Sequence, residues 1–193
     1  NGQKIIALFF TMLCCIVLGM GVPTTANYCI MASTCAPILI QIGVPTIAAH
    51  FFVFYFGIVA DITPPVALAA MAGAAIAKSD PLRTGLEATR LAIAAFLIPY
   101  MFIFNPKLLM IGAQWWEVLQ MSVTAMIGMF GVAMCLQRFY VHKMNLVQQL
   151  MSLTGGLLLI DPGMLTDFIG IGLILGVVLW QRYDHKRLPV QPA

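Results

Sequence analysis

The sequence predicts an all-α integral membrane protein with a re-entrant helical hairpin, a discontinuous transmembrane helix and extra helices toward the C-terminus. Three observations predict it. Hydrophobic residues fill 61% of the 193 positions and charged residues only 9%, where a soluble domain carries about 25% charged residues. The apolar stretches are interrupted by Gly19-Met20-Gly21-Val22-Pro23-Thr24-Thr25 and by Asp61-Ile62-Thr63-Pro64-Pro65, and glycines and prolines there must open the helical hydrogen-bond ladder. The few charges give a net +3 and collect at segment ends, a pattern of membrane topology rather than of a nucleic-acid surface.

Residues 5–18 form the first apolar stretch, after Lys4, and residues 26–42 the second, ending at Gly43-Val44-Pro45. Each falls short of the roughly 20 residues of a full span. The connection between them carries no charge, so a hairpin over 5–42 that enters and leaves by one face explains it better than a water-exposed loop between two spans. No small-residue cleavage site follows residues 5–21, which argues against a signal peptide. The absence of an initiator Met leads us to expect the C-terminal part of something longer.

Residues 46–60 resume as a helix rich in aromatics, with Phe51, Phe52, Phe54, Tyr55 and Phe56 expected to serve packing. Pro64 and Pro65 lack amide hydrogens and clash with the preceding turn, and Pro64 drives Thr63 out of helical geometry. Residues 66–77 are helical and dominated by small side chains, which let helices approach closely in lipid. The stretch 46–77 therefore reads as one span broken in the middle. Ser79 or Asp80 is expected to cap a helix starting at Pro81, and a further helix over 88–105 crosses back to Asn105-Pro106-Lys107. Lys78, Arg83 and Arg90 mark the cytoplasmic face.

The remaining chain, 108–187, reads as additional transmembrane helices. Trp115 and Trp116 suit a membrane interface, residues 118–136 span, and Arg138, His142 and Lys143 return the chain to the basic side. Residues 146–160 lead to a turn at Asp161-Pro162-Gly163, and 164–180 follow with Gly172 and Gly176 in GxxxG spacing. Arg182, Lys186 and Arg187 close on the basic face, and 188–193 read as a disordered tail.

The two interruptions are the candidate site. Two breaks close together point to an ion or substrate site near the bilayer midplane. A sodium ion takes several oxygen ligands, and carbonyls freed at half-helix ends supply them without burying fixed charge. Gly19 and Gly21 permit the tight turn at the first break, and Thr24 and Thr25 add hydroxyls. Asp61 and Thr63 add side-chain oxygens at the second. The half-helices that follow, starting near Thr25 and Val66, aim amide hydrogens at the same region, which suits a carboxylate. The five cysteines, Cys14, Cys15, Cys29, Cys35 and Cys135, form no metal-binding spacing and read as small buried hydrophobes. His50 reads as a packed or interfacial histidine, and Asp161 and Asp167 as turn and cap residues.

These residues also carry a resemblance. Gly-Met-Gly-Val-Pro-Thr-Thr-Ala at 19–26 resembles the hairpin signature of the large membrane subunit of TRAP transporters, the tripartite ATP-independent periplasmic transporters. Gly43-Val44-Pro45 with Ala-Ala-His-Phe-Phe-Val-Phe-Tyr-Phe-Gly at 48–57 is similar to it too. Ile-Thr-Pro-Pro-Val-Ala-Leu-Ala-Ala at 62–70 resembles that family's second broken helix, and Phe-Ile-Phe-Asn-Pro at 102–106 the end of its last conserved helix. The likeness covers about residues 5–107, is closest to the type in which small and large membrane subunits share one polypeptide, and leaves 108–193 to the extra helices of such fusions.

The resemblance implies one half of an inverted-repeat elevator carrier. It implies sodium ligands from Gly19, Gly21, Thr24 or Thr25 at the tip and Asp61, Thr63 and Pro64 at the break. It further implies a periplasmic substrate-binding protein that delivers an organic acid, a small membrane subunit, and a first repeat lying outside this chain, in the bacterial inner membrane. Two other classes compete. An intramembrane aspartyl protease would need Asp61 and Asp167 to meet at depth. A membrane scaffold or assembly subunit has no reason to break two helices.

Overall fold

The structure, a computed structural model, describes residues 2–160 and 163–187. Asp161, Pro162 and the tail 188–193 named above lie outside the described residues. Among the described residues the chain forms nine α-helices, three short 3-10 turns and no strand. They gather into two compact units, Asn1–Gly112 and Ala113–Ala193.

In the first unit, α1 (Gly2–Gly19) and α2 (Thr24–Gln41) form a helical hairpin. Gly21 adopts φ +74° at its tip, a left-handed backbone that glycine takes at no steric cost. Gly43, with φ +84°, turns the chain into α3 (Thr46–Val59). The α3 residues Ala48, Ala49, Phe52, Val53, Phe56 and Gly57 are buried, an i, i+4 stripe that faces the hairpin. The aromatic cluster divides accordingly. Phe52 and Phe56 are fully buried and meet Tyr100 edge-on at 5.4 and 5.9 Å, whereas Phe51 and Phe54 face outward.

The helix ladder opens after Val59. Residues 60–62 form a 3-10 turn, Thr63 is extended (φ −103°, ψ 124°), and Ala67 is left-handed (φ 40°) before α4 (Leu68–Ala77) begins. The helical stretch 46–77 is thus discontinuous, and its second half starts at Leu68, two residues after Val66. The sequence shows why: the residue before a proline is pushed to extended geometry, and neither Pro64 nor Pro65 can donate to a helical ladder.

Asp80, rather than Ser79, caps the next helix, its Oδ1 accepting from the Arg83 amide at 2.7 Å. That helix, α5 (Pro81–Ala92), is followed by a 3-10 turn over 93–97 and by α6 (Ile98–Phe104). The expected single helix over 88–105 therefore does not form. The chain bends by 57° between Pro81–Ala92 and Ala95–Phe104. The bend brings α5 back along the break: a Cβ at Gly85 would lie 3.2 Å from the Pro64 ring. Glu87 and Arg90 both lie within α5 and pair at 3.7 Å on its exposed face.

In the second unit, α7 (Trp115–Gln137), α8 (Leu146–Ile160) and α9 (Met164–Arg187) pack through small residues. The expected Gly172/Gly176 pair is not the contact. A Cβ at Gly172 would meet nothing within 4 Å, and one at Gly176 only the end of Met151 at 4.0 Å. The close crossings use Gly128 and Gly131 of α7, Gly155 and Gly156 of α8, and Gly170 of α9. A Cβ at Gly156 would sit 2.7 Å from the Gly128 carbonyl oxygen, and one at Gly170 2.8 Å from that of Gly155. Ser152 reinforces the α7–α8 crossing by donating to the Gly131 carbonyl at 2.6 Å. Spacing alone does not identify which face of a glycine-rich helix is covered.

Three helices among the described residues are long and apolar enough to cross a bilayer: Gly2–Gly19, Trp115–Gln137 and the Leu165–Asp184 part of α9. The bent pair of α5 and α6 makes a fourth if taken as one span. The chain is an all-α, multi-pass integral membrane protein. Because backbone faces backbone at Gly156, Gly156→Ala is expected to destabilise the detergent-solubilised protein by about 1–3 kcal/mol, while Gly172→Ala leaves it unchanged. Thermal unfolding followed by helical circular dichroism measures both; equal melting temperatures would remove the assigned crossing.

Candidate functional site

The two interruptions meet. Gly19, the last residue of α1, is buried against the end of α3. A Cβ there would come 2.7 Å from the Ala60 methyl, 2.8 Å from the Asn27 amide nitrogen and 3.0 Å from the Gly57 carbonyl oxygen. At the tip, a Cβ on Gly21 would stand 3.8 Å from Val66. The hairpin tip is therefore seated on the segment 57–66, where α3 breaks, and glycine at 19 is what permits the approach.

Asn27 holds this junction and was missed by the sequence reasoning. It is 2% exposed. Its amide nitrogen donates to the Gly57 carbonyl at 3.2 Å, and Gly57 in turn leaves room for Asn27 and Met31. The other end of the amide, Oδ1, is buried with no hydrogen-bond partner among the described residues. A buried acceptor left unpaired costs about 1–3 kcal/mol, and this oxygen keeps that acceptor capacity unused among the described residues. The signal was available: a lone carboxamide inside an apolar stretch, three residues after Thr24, is the kind of intramembrane polar group that marks a site.

The predicted residues fare differently. Thr63 donates its hydroxyl to the Val59 carbonyl at 2.8 Å, which leaves the oxygen lone pairs of Oγ1 free to accept. Asp61 sits half-buried in the 3-10 turn and forms no ion pair among the described residues. Thr24 and Thr25 are exposed in the first turn of α2, not folded into the junction. Pro64 lies against Gly85. The Ile62 carbonyl freed by the break is taken up by Thr89 of α5, whose hydroxyl lies 3.1 Å from it and 2.9 Å from the Gly85 carbonyl. No spacing rule links residue 62 to residue 89, and only the fold reveals that bond.

The helix starts at this junction are open. Neither α2, which follows Pro23, nor α4, which follows Ala67, receives a side-chain hydrogen bond at its N-cap. Their first amides remain available to acceptors. Next to Asn27, Tyr28 places its hydroxyl 3.0 Å from His50 Nδ1. With Phe51 and Phe54 these two line a mostly apolar cavity of about 250 Å³. His50 is thus a partnered, packed histidine.

No group of three or more His, Cys, Asp or Glu side chains gathers among the described residues. The five cysteines are free thiols. Cys15 and Cys35 are buried as expected, but Cys14 and Cys29 are exposed, because α1 and α2 each bury only one face. The polar atoms at and near the break are backbone carbonyls, the Asn27 carboxamide, the Thr63 hydroxyl and the Asp61 carboxylate.

A helical hairpin whose tip rests on the break of a neighbouring helix, in a chain this apolar and helical, defines a polytopic membrane protein with a discontinuous helix. Residues 1–117 match the family described as Tripartite ATP-independent periplasmic transporter, DctM component. The match covers the whole first unit and more than half of the chain, and the chain belongs to that family: it is a permease component of TRAP type. No curated protein and no solved structure matches it.

The apposition of tip and break has a direct test. In a background free of native cysteines, Gly21→Cys with Val66→Cys is expected to be joined by a short bifunctional thiol reagent, because a Cβ at 21 would stand 3.8 Å from the Val66 side chain. The pair Gly43→Cys with Val66→Cys serves as the negative control. Failure of the first pair to cross-link in the folded protein would separate the two interruptions.

Proposed function

We propose that this chain is the C-terminal half of a sodium-coupled permease that imports organic acids delivered by a periplasmic binding protein. The observation that carries the reading is the unpaired, buried Oδ1 of Asn27 at the point where the hairpin tip meets the broken helix. A small cation needs oxygen ligands held in place before it arrives. Asn27, the Thr63 hydroxyl, Asp61 and carbonyls at the two interruptions other than those of Ala60 and Ile62, which are already bonded, are the groups that offer them here. Sodium is then a co-transported substrate, and its charge would draw a carboxylate toward the uncapped starts of α2 and α4. On this reading Thr25 contributes from the first turn of α2, and the backbone after Val66 from α4.

The hairpin is re-entrant in this proposal, with its uncharged tip near mid-depth. A small membrane subunit, fused or separate, and the first repeat complete the assembly in the bacterial inner membrane, and the chain by itself does not transport. Membership in a transporter family weighs against the protease reading.

The test is uptake of a carboxylate by the complete transporter in proteoliposomes, with sodium titrated outside. Asn27→Ala and Asp61→Ala are each expected to raise the sodium concentration for half-maximal uptake by about 10-fold, equivalent to about 1.4 kcal/mol of lost cation binding. Thr34→Ala, on the outer face of α2, should leave it unchanged. If both site variants keep the parent's sodium dependence, neither side chain is a ligand.

A further inference from the structure

The second unit contains a site that the transport reading does not use. At the turn between α7 and α8 lies a cavity of about 470 Å³, lined by Gln137, Arg138, Phe139, Lys143, Met144 and Gln149. Two of the six are cations and none is an acid. Neither Arg138 nor Lys143 forms an ion pair among the described residues.

The turn that presents them is firmly built. Arg138 ends α7 in a left-handed conformation (φ 54°). Met144 donates its amide to the Arg138 carbonyl at 2.9 Å, and Phe139 and Lys143 pair as an antiparallel bridge. Beneath the turn, the fully buried Gln181 of α9 accepts from the amides of Val141 and His142 at 3.3 and 3.2 Å. Its own amide donates to Gln148 Oε1 at 2.9 Å, which also accepts from the Asn145 amide at 3.1 Å. Burying two carboxamides is costly unless they are bonded. Of their four polar atoms three are bonded and hold the turn that carries the cations, while Gln148 Nε2 has no partner among the described residues. Gln149 is fixed as well, donating to the Met144 carbonyl at 2.9 Å.

The surroundings identify the medium. Phe139, Leu146, Trp180 and Tyr183 are exposed at this end of α7, α8 and α9, and aromatic side chains among basic ones mark a membrane–water interface. The excess of Arg and Lys assigns this end to the cytoplasmic leaflet, where anionic lipids attract basic clusters.

We propose that this cavity binds the phosphate of an anionic phospholipid headgroup. The Arg138 guanidinium can hold two phosphate oxygens at once, Lys143 supplies a second positive charge, and Phe139 and Met144 line the side on which the glycerol backbone and acyl chains lie. A phosphate-bearing soluble compound shares the headgroup's chemistry but gains nothing from the apolar wall.

Native mass spectrometry of the full chain, purified in detergent and supplied with phosphatidylglycerol or phosphatidylcholine, tests the site. The wild-type chain is expected to retain phosphatidylglycerol preferentially. Arg138→Asn combined with Lys143→Gln should lower that retention by about 30-fold, the size expected of two basic side chains at a membrane surface. Asn tolerates the left-handed backbone at 138. Removing the same charge in the first unit, with Arg83→Gln and Arg90→Gln, should have no effect. Should the double variant fold poorly, Lys143→Glu alone, in an exposed position, is expected to reduce retention as well. Equal retention of the two lipids, unchanged retention in the folded variants, or displacement of phosphatidylglycerol by an excess of inorganic phosphate would each overturn the proposal.

Discussion

Everything in the first unit depends on a single constraint: backbone opened inside an apolar protein must be bonded by something. Lipid offers no hydrogen bonds, so each freed carbonyl or amide needs a protein partner or a ligand. At the break after Val59 the partners come from three directions. The hairpin tip closes over it through Gly19, Asn27 bonds the Gly57 carbonyl from α2, and Thr89 bonds the Ile62 carbonyl from α5. What this network leaves unpaired is correspondingly informative. Among the described residues one buried carboxamide oxygen remains at the junction of the two interruptions.

The glycines at this junction have a packing role as much as a conformational one. Gly21 is needed for its positive φ, but Gly19 and Gly57 are helical and are needed for their missing side chains. They allow α1, α2 and α3 to converge within backbone contact of one another. The same device recurs in the second unit, where Gly128, Gly131, Gly155, Gly156 and Gly170 bring three helices together. Water-driven burial does not separate helix from lipid as it does in a soluble core, so close van der Waals approach and a few interhelical hydrogen bonds such as Ser152 to Gly131 carry the association.

The polar groups are distributed in two contrasting ways. In the first unit they gather where the helices break. In the second, Gln148 and Gln181 are buried beneath a tight turn and support basic side chains at the surface. Among the described residues the first arrangement leaves an oxygen without a hydrogen-bond donor, and the second leaves Gln148 Nε2 without an acceptor and two cations without an acidic partner. The first is an acceptor left inside the protein, the second a pair of positive charges at its edge.

By itself, the sequence determined that this is an all-α membrane chain, that α1 and α2 form a hairpin turning near Gly21, that the helix after Thr46 breaks ahead of Pro64, and that basic residues cluster at particular segment ends. These follow from composition, from the backbone limits of glycine and proline, and from charge placement, all of which act locally. Only the tertiary structure decided that the tip rests on the break, that Asn27 rather than Thr24 or Thr25 enters the junction, that α5 bends into α6 to bring Thr89 to the Ile62 carbonyl, and that Gly156 and Gly170 rather than Gly172 and Gly176 make the crossings. The physical reason is that a side chain's partner in a distant part of the chain is set by helix direction and rotation. In a chain where nearly every face is apolar, hydrophobic periodicity does not reveal which face turns inward.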